Sequence, residues 1–160
     1  DLGEVLVRGT NVMKGYLNDP KGTAQAFEGE WYKTGDIGHL DKDGFLYIEG
    51  RRKNLIVLQN GKNVSPEEVE QHLSAIPLIA DVMVKEAPGN EYLMALIYPN
   101  QEVLKSMGEE ALRSALSEAI DAVNAKAVPY KRIRRFELRK DEFPKTTKRT
   151  IIRHQVKGGE

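Results

Sequence analysis

The sequence contains no cysteine. That rules out disulfides, thiolate metal sites and a cysteine nucleophile, and it is consistent with a reducing, cytoplasmic setting. No apolar run approaches the ~20 residues a membrane-spanning helix needs, and there is no signal-peptide pattern. Internal repeats and low-complexity tracts are also missing. The three histidines, His39, His72 and His154, are too scattered to suggest a metal site. Net charge is zero, with 24 Lys and Arg against 24 Asp and Glu. A neutral chain argues against the electrostatic footprint of a nucleic-acid binder, and the basic tail offers few aromatics, Tyr130 and Phe136, for stacking on bases.

The neutrality conceals a segregation. Residues 1–125 hold 12 Lys and Arg against 20 Asp and Glu, a net −8, whereas residues 126–160 hold 12 against 4, a net +8. Such a tail suits an anionic partner: a nucleotide, a phosphate-bearing cofactor, nucleic acid or a membrane surface touched peripherally. It equally suits an exposed face that pairs with the acidic remainder. With 160 residues, 40% of them apolar, the chain can bury a core as one domain or as a domain plus a fragment. It starts at Asp1 without an initiating methionine and reads as an excised piece.

The chain changes character between Gly50 and Glu70. Three cations, Arg51 to Lys53, precede the short β-rich run Leu55 to Leu58, which predicts a strand. Asn60-Gly61 turns the chain. Ser65-Pro66-Glu67-Glu68 then predicts a helix start, with Ser65 as cap, Pro66 at the first position and Glu68 completing a capping box. Val64 and Val69 are spaced to form a hydrophobic staple.

Before this stretch, Gly3 to Gly9 alternates as a strand, Gly15 to Pro20 is a turn, and Lys21 to Phe27 is a short helix. The runs Glu30 to Leu40 and Phe45 to Glu49, joined by a loop ending in Asp43-Gly44, predict a hairpin. Thr34-Gly35-Asp36 interrupts its first arm, where glycine lets the backbone bend and present the Asp36 carboxylate. A carboxylate so placed can hold the vicinal hydroxyls of a sugar, or it can cap a turn.

After it, Val69, Leu73 and Ile76 continue the helix to Pro77. Strands are expected at Leu78 to Lys85, Tyr92 to Tyr98 and Ile133 to Leu138, and an amphipathic helix at Glu109 to Ala125. The tail places Lys145, Lys148 and Arg149 on a loop leading into a helix. The pattern is α+β: a small carboxyl-terminal domain with a mixed or antiparallel sheet and helices, preceded by a β-rich piece.

Three stretches in this order resemble the carboxyl-terminal part of the adenylate-forming enzymes: acyl-CoA synthetases, peptide-synthetase adenylation domains and firefly luciferase. Tyr32-Lys33-Thr34-Gly35-Asp36 is similar to their aromatic-x-Thr-Gly-Asp motif, Gly50-Arg51-Arg52-Lys53 to their hinge motif, and Gly15-Tyr16 through Phe27 to a Gly-Tyr-x-x-x-Pro…Thr…Phe segment. Residues 54–70 look most like the long-chain fatty acyl-CoA synthetase branch.

The resemblance implies that residues 1–49 end a large N-terminal domain, 50–53 are a hinge and 54–160 are a mobile α+β domain. It implies ATP, Mg2+ held by the N-terminal domain, a fatty acid and CoA as the small molecules handled, with that N-terminal domain as partner. Asp36 would grip the ribose, Tyr32, Thr34 and Arg51 would contribute to the nucleotide site, Lys53 would be the pivot, and Gly61 would let the pantetheine arm approach. One departure stands out. The family's closing motif, Pro-x-Thr-x-x-x-Lys-Ile-x-Arg, has its catalytic lysine where this chain has Thr150. Lys148 is the expected substitute, ahead of Lys145 or Arg149. Transfer to a carrier-protein thiol, or adenylate binding without turnover, are the alternatives.

Overall fold

The alternating residues at the start of the chain form β1 (Gly3–Val7). The computed structural model describes residues 2–156 and contains two compact units, one running to Leu55 and the other starting at Ile56. In the first, α1 (Pro20–Ala26) starts one residue earlier than its spacing suggested, because the Asp19 side chain accepts the Gly22 N–H at 2.8 Å and Pro20 suits the first helical position. Phe27 has already left the helix for β2 (Phe27–Glu28), which pairs with β3 (Trp31–Leu40).

β3 organises this unit. β1 lies along one edge, while β2 and β4 (Leu46–Arg51) share the other, all antiparallel. The expected hairpin is thus present. Its loop is held by Asp41 Oδ1, which accepts the N–H groups of Phe45 and Asp43, each at 2.9 Å. The Phe45 bond, with help from the others, holds the Asp41 carboxyl below its ordinary range.

In the second unit, the strand expected at Leu55 to Leu58 shortens to β5 (Ile56–Val57), paired with β6 (Asn63–Val64). Gly61 makes the turn with φ +74° and donates its N–H to Leu58 O at 2.8 Å, a conformation that side chains other than glycine adopt reluctantly. Next comes α2 (Pro66–Ser74), with Val64 and Val69 both buried as the staple requires.

The capping box does not form. Ser65 occupies the N-cap position, but no side-chain cap bond is made: its hydroxyl donates to Glu67 Oε2 at 3.0 Å. Glu68 is drawn away by Lys131, whose Nζ lies 2.8 and 2.6 Å from its two oxygens. A charged pair outbids a neutral amide for that carboxylate.

β7 (Ile79–Glu86) and β8 (Leu93–Pro99) are antiparallel, and β9 (Ile133–Leu138) joins β8 in parallel. The crossover between β8 and β9 carries α3 (Gln101–Met107) and α4 (Glu109–Lys126). α3 was not expected. Asn100 reads as the end of a strand, yet its side chain accepts the Glu102 N–H at 3.0 Å and starts a helix.

The two faces of this sheet bury different partners. Val82, Val84, Leu93, Ala95 and Ile97 join Leu73 of α2 and Leu112, Leu116 and Ile120 of α4 in the main core. The intervening Met83, Met94 and Leu96 face the tail, packing with Phe143, Ile151 and Val156. Burial on both sides is why β8 is almost wholly apolar rather than alternating. Where a helix was expected in the tail, the described residues form a 3₁₀ turn, Arg153–Gln155.

Candidate functional site

The first cluster sits where β3 bends. Gly35 takes φ +72°, and Thr34 braces the bend by donating its hydroxyl to Val5 O at 2.8 Å and accepting the Asp36 N–H at 3.0 Å. Asp36 is thereby set opposite Arg51 of β4, its register partner. Arg51 Nε lies 2.9 Å from Asp36 Oδ1, and its Nη1 donates to Thr34 O at 3.1 Å. The Arg51 side chain is 54% exposed and that of Asp36 28%, so the pair is open to solvent on one side.

Tyr32 stands at the other end of the same motif. It packs edge-on against Phe27 with ring centroids 5.6 Å apart, and a hydrogen bond with it raises the Tyr16 phenol above its ordinary pKa. The loop at Gly15-Tyr16 and the strand motif at Tyr32 to Asp36, separate in sequence, thus meet through the Tyr16 and Tyr32 side chains. Lys53 is exposed within the 3₁₀ turn Arg52–Asn54, and Arg52 anchors that turn to β1 by an ion pair with Glu4 at 2.7 Å.

In the second unit, Gly61 is exposed and a Cβ there would meet nothing within 4 Å. The glycine is demanded by the turn, and the space beside it is open. The same turn borders a cavity of about 270 Å³ lined by Asn60, Lys62, Tyr92, Tyr130, Arg132 and Arg134, with Lys62 Nζ 5.8 Å from the Tyr130 ring centre. Sequence reasoning did not single out this basic, aromatic groove. The available signal was the alternation of Arg132 and Arg134, which puts both side chains on one face of an extended segment.

The three basic residues of the tail separate clearly. Lys145 and Ile151 bridge, Thr146 N–H donates to Thr150 O at 2.9 Å, and Arg149 N–H to Thr146 O at 2.9 Å, closing a tight hairpin. Lys145 is committed to Asp81, Nζ to Oδ2, at 2.6 Å. Arg149 holds the left-handed conformation, φ +61°. Lys148 is exposed at the hairpin tip without an ion pair among the described residues, and Thr150 stands on the returning arm. No group of three or more His, Asp and Glu that could hold a metal ion occurs among the described residues. No helix among them is long and apolar enough to cross a membrane.

Residues 53–158 match the family model described as AMP-binding enzyme C-terminal domain. The chain belongs to this family. A long-chain-fatty-acid–CoA ligase of Bacillus subtilis is 35% identical over 155 residues, 96% of this chain and 26% of that protein. A 2-succinylbenzoate–CoA ligase of Geobacillus kaustophilus is 37% identical over 159 residues, 98% of this chain and 30% of that protein. Among solved structures, o-succinylbenzoate CoA synthetase from Bacillus subtilis in complex with its acyl-adenylate intermediate superimposes with TM-score 0.81 at 30% identity, over 100% of this chain and 31% of that one. The AMP-binding C-terminal family thus unites this chain with acyl- and aryl-CoA ligases on an α+β fold, as its sequence pattern suggested. This chain spans less than a third of the length of these relatives.

Proposed function

We propose that this chain is the carboxyl-terminal part of an ATP-dependent acyl-CoA synthetase that activates a long-chain fatty acid as acyl-AMP and transfers the acyl group to CoA. The observation that carries the reading is the bend at Gly35, which sets Asp36 against Arg51 with surface to spare, in a chain whose relatives are acid–CoA ligases.

In the first half-reaction a carboxylate oxygen of the acid attacks the α-phosphorus of ATP, and the bond to pyrophosphate breaks. Asp36 accepts hydrogen bonds from the ribose hydroxyls, Arg51 adds a cation toward the nucleotide, and Tyr32 and Thr34 hold that corner in shape. Lys148, on its hairpin tip, supplies a cation where negative charge develops. In the second half-reaction the CoA thiol attacks the acyl carbonyl, its proton departs and AMP leaves. Residues 54–160 would swing about Lys53 between the two, bringing the Gly61 turn to the pantetheine arm. The groove of Lys62, Arg132 and Arg134 suits the phosphates that CoA carries. Mg2+ would accompany ATP on the large N-terminal domain and neutralise charge on the leaving pyrophosphate.

Thr150 favours one other reading, an adenylate-binding homologue without turnover. The full-length protein bearing this chain separates them. Pyrophosphate exchange driven by a long-chain fatty acid, outpacing that with 2-succinylbenzoate, followed by thioester formation with CoA rather than with a carrier protein, is the expected result. Tight binding of an acyl-AMP analogue with no acid-dependent exchange would establish the other reading.

A further inference from the structure

The tail that carries Lys148 is pinned at both ends. Upstream of the tip, Lys145 meets Asp81 of β7 at 2.6 Å. Downstream, Arg153 Nη2 lies 2.6 Å from each carboxylate oxygen of Glu70 on α2, and its Nη1 donates to Val84 O at 3.0 Å. Glu70 Oε1 also accepts the Val84 N–H at 2.6 Å, so α2 and β7 together form the socket. Arg153 keeps only 24% of its side-chain surface exposed and Glu70 15%. Glu67 of α2 adds a more distant contact, 3.9 Å from Arg153 Nε. Between the anchors, Ile151 packs with Phe143 on the sheet.

This socket needs a guanidinium. A carboxylate and a carbonyl must be met at once by N–H groups in fixed directions, which an arginine fork supplies and an ammonium does not. Lys148 itself stands on a long flexible stem, so its location depends on the hairpin beneath it. A hairpin loosened by even about 1 Å can slow a positioned reaction by as much as a hundredfold.

We propose that Glu70 and Arg153 are positioning residues for Lys148, fixing the terminal hairpin so that its tip cation is presented at one place on the second unit. Asp81 and Lys145 form the second anchor, which is also why Lys145 is unsuited to the chemistry. The proposal rests on the adenylation role assigned to Lys148.

The first measurement is amide hydrogen exchange in this chain. The N–H groups of Arg149 and Ile152, bonded to Thr146 O at 2.9 Å and Pro144 O at 2.8 Å, report the hairpin. Arg153→Met should speed their exchange about tenfold or more while those of Ala95 and Ile97 in β8 hold steady, and Arg153→Lys should fall between. Asp81→Asn, at the other anchor, should act in the same direction with less disturbance to folding. Unchanged hairpin exchange in both Arg153→Met and Asp81→Asn would overturn the proposal.

The second measurement uses the full-length protein. Arg153→Met should slow acid-dependent pyrophosphate exchange about tenfold or more and leave transfer from supplied acyl-AMP to CoA unchanged, with Arg153→Lys restoring part of the loss. Equal slowing of both half-reactions would reduce the pair to a structural role and overturn the proposal. If Lys148→Ala leaves pyrophosphate exchange unchanged, the reading of Lys148 fails, whereas the amide-exchange result still reports on the clamp itself.

Discussion

Glu70 shows how burial and pairing compete at a single side chain. Burial pushes its carboxyl up to about 6, and the nearby Arg153 and the Val84 N–H only partly reverse that. An acid whose pKa is raised on folding binds its proton more tightly in the native state. Its contribution to stability is therefore fully present below about 4.5 and is lost as pH rises through about 6. The shift corresponds to about 2 kcal/mol. In denaturant titrations at pH 4 and pH 7, the stability of the wild type relative to Glu70→Gln should fall by about that amount over the interval. A difference that does not change with pH would show that the carboxyl titrates normally. A second residue-scale test is Gly61→Val: the turn's φ of +74° strains any side chain, so a loss of about 1 kcal/mol is expected in thermal unfolding.

At the scale of elements, Asn124 joins α4 to β9. Its side chain donates to Ile133 O at 2.8 Å and accepts the Ile133 N–H at 2.9 Å, closing the parallel crossover. Asn124→Ala would leave both main-chain groups short of partners and should cost about 1–3 kcal/mol in chemical denaturation. In the core, Leu73→Ala should cost about 2–5 kcal/mol, since Leu73 is fully buried between α2 and the sheet.

What could be foreseen from sequence divides along the same line. The staple of Val64 and Val69, the Gly61 turn, the β3–β4 hairpin and the amphipathic α4 are local patterns and form as expected. The Ser65–Glu68 capping box failed because Lys131, 63 positions away, takes the carboxylate. Neither the Lys145–Asp81 pair, 64 positions apart, nor the Arg153–Glu70 pair, 83 apart, leaves a local signal. Asp36 and Arg51 could be named from their motifs. Their mutual contact depended on a strand register that only the folded sheet supplies.

For the molecule as a whole, the two units carry different side-chain sets: a partly exposed carboxylate and arginine, Asp36 and Arg51, in the first, and the groove of Lys62, Arg132 and Arg134 with the Lys148 hairpin in the second. The proposed function gives the first set the nucleotide and the second the acceptor. The account stands or falls on whether the first cluster binds nucleotide. The Asp36–Arg51 pair is partly exposed, so its loss should cost stability only about 0–1 kcal/mol. A large loss of activity in Asp36→Ala could then not be ascribed to unfolding. The most direct measurement is fatty-acid-dependent pyrophosphate exchange by the full-length protein carrying Asp36→Ala, alongside its melting temperature. The account predicts a fall of about a hundredfold or more with melting nearly unchanged. Exchange at the wild-type rate would contradict it.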